Sequence, residues 1–296
     1  MTAFKLKKKE REDEGIRRVA HGRTEDAVEL LRDPDADPVE AVHEARKDMK
    51  KLRATLKLVR PVLGEDLYDR ENTRFRDAGR ALSDVRDAQA RAETIDALAE
   101  RFADDPPPGG WWAIRAELAG DDPGDGALDG LRDRTAAKVV GGDQAIEEWP
   151  LDERGFELVR PGLKRAYSRA RKRFRAARAD PGDEAFHEWR KRSKDLWYHL
   201  RLLRRGWPAV MDTTADEAHE LSDRLGDDHD LAVLTAFLRD ERPPLTTEQA
   251  EALAGLIATR RAELQKEAFA YGERLYAEKP KRFVNRLESY WEATKL

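Results

Sequence analysis

Cysteine is absent from the 296 residues, so no disulfide framework and no thiolate metal site can stabilise this chain. That absence fits a cytoplasmic setting. Long apolar runs are missing as well: no stretch of 18 apolar residues occurs, which removes a membrane-spanning helix. The first residues, with Lys5, Lys7, Lys8 and Lys9 followed by Glu and Asp, lack the apolar centre of a secretory signal. Strand-like alternation is scarce, and neither a P-loop nor a His-Glu-x-x-His pattern is found. An excess of one charge sign is also lacking, since 56 Lys and Arg face 60 Asp and Glu for a net of −4. A simple basic-protein argument for an anionic partner therefore fails, and everything depends on where the cations sit.

What is present is charge, and it is segregated. Charged residues make up 39% of the chain, against about 25% in ordinary globular domains. From Arg160 to Arg205 sixteen Lys and Arg stand against five Asp and Glu, while Asp121 to Asp129 and Asp212 to Asp240 are acidic. Helix formers dominate, and the periodic stretches have the helical period, which predicts an all-α protein. In the first half the expected helices cover about 10–32, 38–60, 65–82, 84–103 and 129–148. In the second they cover about 155–179, 183–205, 213–225, 228–240, 246–278 and 281–294. Asp37-Pro38 and Asp180-Pro181 supply a cap and an early proline before two of them, and Ser83 and Asp227 are candidate caps for two more. The proline and glycine density at 104–110 and at 120–130 predicts connecting loops, with Trp111-Trp112 between them as a packing anchor.

One basic segment is written twice. His43-Glu44-Ala45-Arg46-Lys47-Asp48-Met49-Lys50-Lys51-Leu52 and His187-Glu188-Trp189-Arg190-Lys191-Arg192-Ser193-Lys194-Asp195-Leu196 align at a shift of 144 residues. Gly15-Ile16-Arg17-Arg18 matches Gly162-Leu163-Lys164-Arg165 upstream. Downstream, Leu82 to Asp87 matches Leu225 to Asp230. The repeat unit is thus a half of the molecule, about 5–150 and about 155–296, and two copies around one core predict a single pseudo-twofold domain.

On a wheel turning about 100° per residue, Arg46, Lys47, Lys50 and Lys57 fall within about 60° of His43, opposite Ala45, Met49, Leu52 and Leu56. In the second copy Arg190, Lys191, Lys194, Tyr198 and Arg201 share the arc of His187, opposite Trp189, Leu196 and Leu200. A solvated face is the ordinary fate of a charged stripe. Exposed faces normally mix signs, however, because like-charged i,i+4 pairs cost a few tenths of a kcal/mol. Arg46 with Lys50 and Arg190 with Lys194 repeat that cost in a chain of net negative charge, which points to an anionic ligand. Lys164, Arg171 and Arg175, with Arg178, form a third arc beside Tyr167; its first-half counterpart, Arg17, Arg18 and Arg23, is thinner. Arginine offers planar bidentate contacts to phosphate and lysine a mobile point charge, so more than a dozen such groups suit a polyanion.

The pattern His-x-x-Arg-Lys-x-x-Lys, occurring twice and followed by Leu-Ser/Gly-x-x-Arg/His-Asp, resembles the CHAD domain (conserved histidine α-helical domain) in its stand-alone form, over about 5–296. No Glu-x-Glu-x-Lys motif of the catalytic domain fused to some members is present. The resemblance implies two four-helix bundles related by a pseudo-twofold axis around a basic central channel that binds inorganic polyphosphate, associated with polyphosphate granules. It places ligand contacts on His43, Arg46, Lys47, Lys50, Arg53 and Arg86 in the first half, and on His187, Arg190, Lys191, Lys194 and His229 in the second. Trp197 stands where the first copy has Arg53, and Ser83 where the second has Gly226, so the halves differ at those points.

Beside phosphate an imidazole favours its charged form, and beside Arg and Lys alone its neutral form, so ligand binding is expected to raise the pKa values of His43 and His187. His21, His199 and His219 receive no role. Two other functions stay open. Asp227-Asp228-His229-Asp230 with His199 and His219 resembles the metal set of helical phosphohydrolases, although Arg86 in the first copy is no metal ligand. Single-stranded nucleic acid is also a phosphate polymer, although its binders interleave aromatics with their cations and here only Tyr167 and Tyr198 lie on cationic arcs. The expectation is a polyphosphate-binding protein without catalysis, cofactor or bound metal. Assembly with further copies of the chain stays open.

Overall fold

The computed structural model describes residues 3–82, 84–118, 125–241 and 243–294, with the side chains at 84–88, 125–127 and 129 outside the description. Every regular element among the described residues is helical. In order these are α1 (Glu12–Arg32), α2 (Pro38–Leu63), α3 (Glu65–Ala81), α4 (Asp84–Arg101), α5 (Gly110–Leu118), α6 (Asp125–Ile146), α7 (Arg160–Ala179), α8 (Asp183–Leu202), α9 (Pro208–Asp240), α10 (Thr247–Leu275) and α11 (Pro280–Ala293). Short 3-10 turns at Gly155–Leu158 and Arg204–Gly206 precede α7 and α9.

The start of α2 follows its sequence signal: Asp37 accepts a hydrogen bond from the Glu40 amide at 2.8 Å and Pro38 occupies the first turn. Gly64, at φ 78°, then separates α2 from α3. At Asp180-Pro181 the expectation fails, because Asp180 closes α7 through its amide to Ala176 O, and α8 starts from Gly182. The two helices expected at 213–225 and 228–240 are the single helix α9, so Asp227 is no cap. Gly226 weakens a helix by about 1 kcal/mol relative to alanine, which packing of α9 against α8 and α10 overrides. The corresponding cap at Ser83 lies outside the described residues.

The expected loop around 104–130 contains α5. Positive φ at Gly109 and Gly110 turns the chain into it, and Ile114 and Leu118 are buried on its inner side. Trp111 packs there, with Nε1 donating to Phe102 O at 3.3 Å, whereas Trp112 is 82% exposed and anchors nothing.

Helices α1, α2, α3 and α6 pack as one group, and α7, α8, α9 and α10 as another, with α11 closing on α7. The groups meet where α2 lies along α7 and α8. The closest approach is at Gly162, where a Cβ would stand 1.7 Å from Leu58 O, so no other residue fits. One core runs from Leu6 through Met49, Phe75 and Trp189 to Trp291 and includes residues of the two halves. Helix α4 departs from its own group. With α5 it packs Ile95, Leu98, Ile114 and Leu118 against Leu231, Leu234, Leu253, Ile257 and Leu264 of α9 and α10.

Candidate anion-binding site

On α2, Ala45, Met49, Leu52 and Leu56 are buried, and on α8, Trp189, Leu196 and Leu200 are buried. The wheel therefore places the opposite faces correctly, with His43, Arg46, Lys47 and Lys50 on α2 and His187, Arg190, Lys191 and Lys194 on α8 outside the core.

The second copy is the more concentrated. The rings of His187 and His229 stand 4.5 Å apart at 37°, bringing α8 and α9 together. Gly226 faces the same place, where a Cβ would meet Arg190 Nε at 3.8 Å. Burial pushes the Lys194 ammonium down to about 8 and Arg190 adds to that, while Asp223 and Asp230 pull the other way and Lys47 of the first copy contributes least. His229 falls to about 4, first through burial and then through Arg190, His187 and Arg261. His187 is lowered by burial and by Lys191 and Arg190. Three bases thus move in one direction, each first through burial and then through neighbouring cations, against the pull of nearby carboxylates. Arg190 Nε and His187 Nδ1 are buried there without a hydrogen-bond partner among the described residues. The structure thus brings together His187, Arg190, Lys194 and His229.

In the first copy the cations have other attachments. Arg46 Nη1 donates to Gly79 O on α3 at 2.9 Å, and Arg53 Nε donates to Asn72 Oδ1 at 3.1 Å. Lys47 is paired with Glu44, and Lys191 with Glu188 at the same i,i+3 spacing. His43 Nε2 lies 3.9 Å from Glu44 Oε1. Lys57 turns to the junction with α8 and donates to Asp195 Oδ1 at 2.6 Å. Arg86 lies on α4, its side chain outside the described residues.

Tyr198 belongs to the core rather than to the stripe. It is 4% exposed, its ring meets Phe4 edge-on at 5.8 Å and stacks on Trp197 at 4.6 Å, and burial raises its phenol pKa. Arg201 stands over Trp197 at 5.3 Å and over Phe4 at 6.0 Å. The third arc faces away from α2: Arg171 Nε donates to Tyr276 O at 2.8 Å in the turn after α10, and Lys164 and Arg175 are exposed. Arg173 of α7 lies 3.4 Å from Glu188 on α8, and Arg165 and Arg169 line the junction of α7 with both α2 and α8. They were missed, although Gly162, on the same face at i−3 and i−7, marks where α7 comes closest to a neighbour.

The histidines of the alternative metal-set reading separate. His199 is 1% exposed, bonds Ala54 O at 2.8 Å through Nε2 and falls to about 4 through burial. His219 Nδ1 lies 2.7 Å from Asp223 Oδ2, and His229 lies against His187. No group of three or more His, Asp or Glu able to hold a metal ion occurs among the described residues. No described helix is long and apolar enough to cross a membrane.

These features define an all-helical protein with a His-x-x-Arg-Lys stripe on α2 and another on α8, both outside the core. The family model of the CHAD domain matches residues 18–239, three quarters of the chain, and the protein belongs to that family. No curated protein matches it significantly.

Proposed function

We propose that this protein binds inorganic polyphosphate along the cleft between the stripes of α2 and α8, without catalysis of its own, and does so on cytoplasmic polyphosphate granules. One observation carries the reading: His187, Arg190 and Lys194 of α8 crowd against His229 of α9, with Arg190 Nε and His187 Nδ1 buried there without a hydrogen-bond partner among the described residues, and α2 packs against the same helix α8, where Lys57 bonds Asp195. Repulsion of that kind is relieved by an anion that spans the two stripes. From His43 to Lys50 the α2 stripe extends about 10 Å at roughly 1.5 Å per residue. Together with its α8 counterpart it exceeds what one phosphate group can contact. Membership of the CHAD domain family favours the same ligand.

Nucleic acid fits less well. Stacking platforms are needed for its bases, and Tyr167, Trp189 and Tyr198 are all buried. Titration with polyphosphates of graded length, alongside an assay for released phosphate, tests the proposal. Affinity should rise with chain length and fall steeply with salt as counterions are displaced. Displacement of long chains by single-stranded RNA at equal phosphate concentration would overturn the ligand assignment, and steady phosphate release would overturn the absence of catalysis.

A further inference from the structure

A second concentration of positive charge lies where α7 crosses α2 and α8. There Lys57, Arg60, Arg165, Arg169, Arg192 and Asp195 line a cavity of about 50 Å³. Five cations face one carboxylate. Asp195 is already engaged: Oδ1 accepts from Lys57 at 2.6 Å, and Oδ2 lies 3.5 Å from Arg192 Nη1. Arg60 is drawn outward to Glu65. Arg192 keeps its Nε buried without a hydrogen-bond partner. Burial, with Arg192 and Arg165 beside it, pushes the Arg169 guanidinium below its ordinary pKa.

The repeat shows that this excess is local to one half. At the 144-residue shift Arg192 stands where the first copy has Asp48, and Asp195 where it has Lys51. In the first copy that place is filled and balanced: buried Asp48 accepts from Arg23 at 2.9 Å and from Lys51 at 2.7 Å, and Asp26 takes the second Arg23 nitrogen. At the matching sequence position the second copy carries Arg192, which lines the cavity.

Size and chemistry narrow the guest. A water-sized group needs roughly 10–15 Å³ of such volume, so the space admits about four of them, the oxygens of one tetrahedral ion. His199 also lines the cavity. With Nε2–H given to Ala54 O, its buried Nδ1 is an acceptor that nothing satisfies. Arginines alone would take any oxyanion. An unsatisfied acceptor beside a carboxylate favours one that carries a hydroxyl.

We propose that this cavity is a second anion site, separate from the cleft, for a single protonated phosphate group, free or as a monoester, whose oxygens are held by Arg165, Arg169 and Arg192 and whose hydroxyl is accepted at the Asp195–His199 edge. The site stands on its own residues and does not depend on polyphosphate binding in the cleft.

Calorimetric titration of the full chain with orthophosphate, glycerol 3-phosphate and sulfate tests it. Phosphate should bind at least about tenfold more tightly than sulfate, which has no hydroxyl to donate. Comparison of the first two ligands assigns the free ion or the monoester as the natural source. Arg165→Glu with Arg169→Glu, on the outer rim, should weaken orthophosphate by at least about tenfold and leave long-chain polyphosphate within about twofold. Asp195→Asn, of the same shape, should erase the preference over sulfate. Sulfate binding as well as phosphate, an unaffected rim variant, or parallel loss of long-chain binding would each overturn a separate phosphate site.

Discussion

On α2, Arg46 is tied to the Gly79 carbonyl, Arg53 to Asn72 and Lys57 to Asp195, while Asp48 beneath the stripe is locked to Arg23 and Lys51. On α8, Arg190 leaves its Nε buried and unbonded and Lys194 is pushed down to about 8. The two helices carry the same stripe, yet the first copy spends its cations on structure and the second concentrates them. The cause lies in the neighbours. Helix α2 is flanked by α3, which offers the Gly79 carbonyl to Arg46 and Asn72 to Arg53; α8 is flanked on its stripe side by α9, which brings His229 and Gly226 along with Asp223 and Asp230. A duplicated sequence has thus been divided between holding the fold and holding a charge.

The largest test of that division is charge reversal across it. Lys50→Glu with Lys194→Glu removes two charge-assisted contacts worth roughly 1.5–3 kcal/mol each, so polyphosphate affinity should fall about 10²- to 10⁴-fold. Thermal midpoint should hardly move, because neither residue belongs to the core. A loss below tenfold would mean that the ligand lies elsewhere. Stability should show the opposite asymmetry. Asp48→Ala leaves the buried Arg23 to Asp26 and removes its charge-assisted bond to Asp48, which should cost roughly 1.5–3 kcal/mol in denaturant unfolding. Arg192→Ala, at the matching position, breaks only longer, partly exposed pairs and should cost under about 1 kcal/mol. Equal losses would show the copies to be structurally alike.

This asymmetry is only partly legible in the sequence. The all-helical class, the start of α2 and the direction of the two stripes follow from periodicity and from Asp37-Pro38. Gly226 reads as a helix breaker, but its backbone is stabilised by helices on either side, and α9 continues through it. The prolines and glycines before Trp111 conceal α5, whose stability comes from Ile114 and Leu118 in a contact distant in sequence. A helical wheel shows direction and not coverage: Tyr198 shares the arc of His187, but the N-terminal Phe4 covers it. Arg171 likewise shares an arc with Lys164 and is claimed by the turn after α10. Arg165 and Arg169 lie on the face that Gly162 marks, a signal readable only once a glycine inside a helix is taken as a point of close approach.

The cleft should also respond to pH. Lys194 is depressed in the free protein, and a bound polyanion restores its pKa, so binding takes up a proton and affinity falls as pH rises through about 8. Loss of that one contact between pH 7 and pH 9 should weaken binding by about tenfold. Lys194→Arg, charged throughout, should flatten the profile. His187 and His229 extend the same sign into acid: free, His229 is neutral down to about 4, and phosphate beside it favours the charged form. Affinity should therefore rise further below pH 6, and His187→Ala should reduce that rise. A profile independent of pH would separate these bases from the ligand.

The smallest effect discriminates most finely between the copies. Lys47 and Lys191 are each held by the glutamate three residues earlier, Glu44 and Glu188. Removing that acid frees the lysine for the ligand, so affinity should increase. For Glu44→Gln one cation is freed, and exposed pairs of this kind are worth at most about 1 kcal/mol, which predicts a gain of about twofold to fivefold. Glu188 serves more partners, with Arg173 Nη2 at 3.4 Å and Arg192 Nη2 at 3.7 Å. Glu188→Gln therefore releases Arg173 of α7 as well as Lys191 of α8, and its gain should exceed that of Glu44→Gln. If the two gains are equal, Arg173 contributes nothing to the cleft, and the polyanion is held by the α2 and α8 stripes alone.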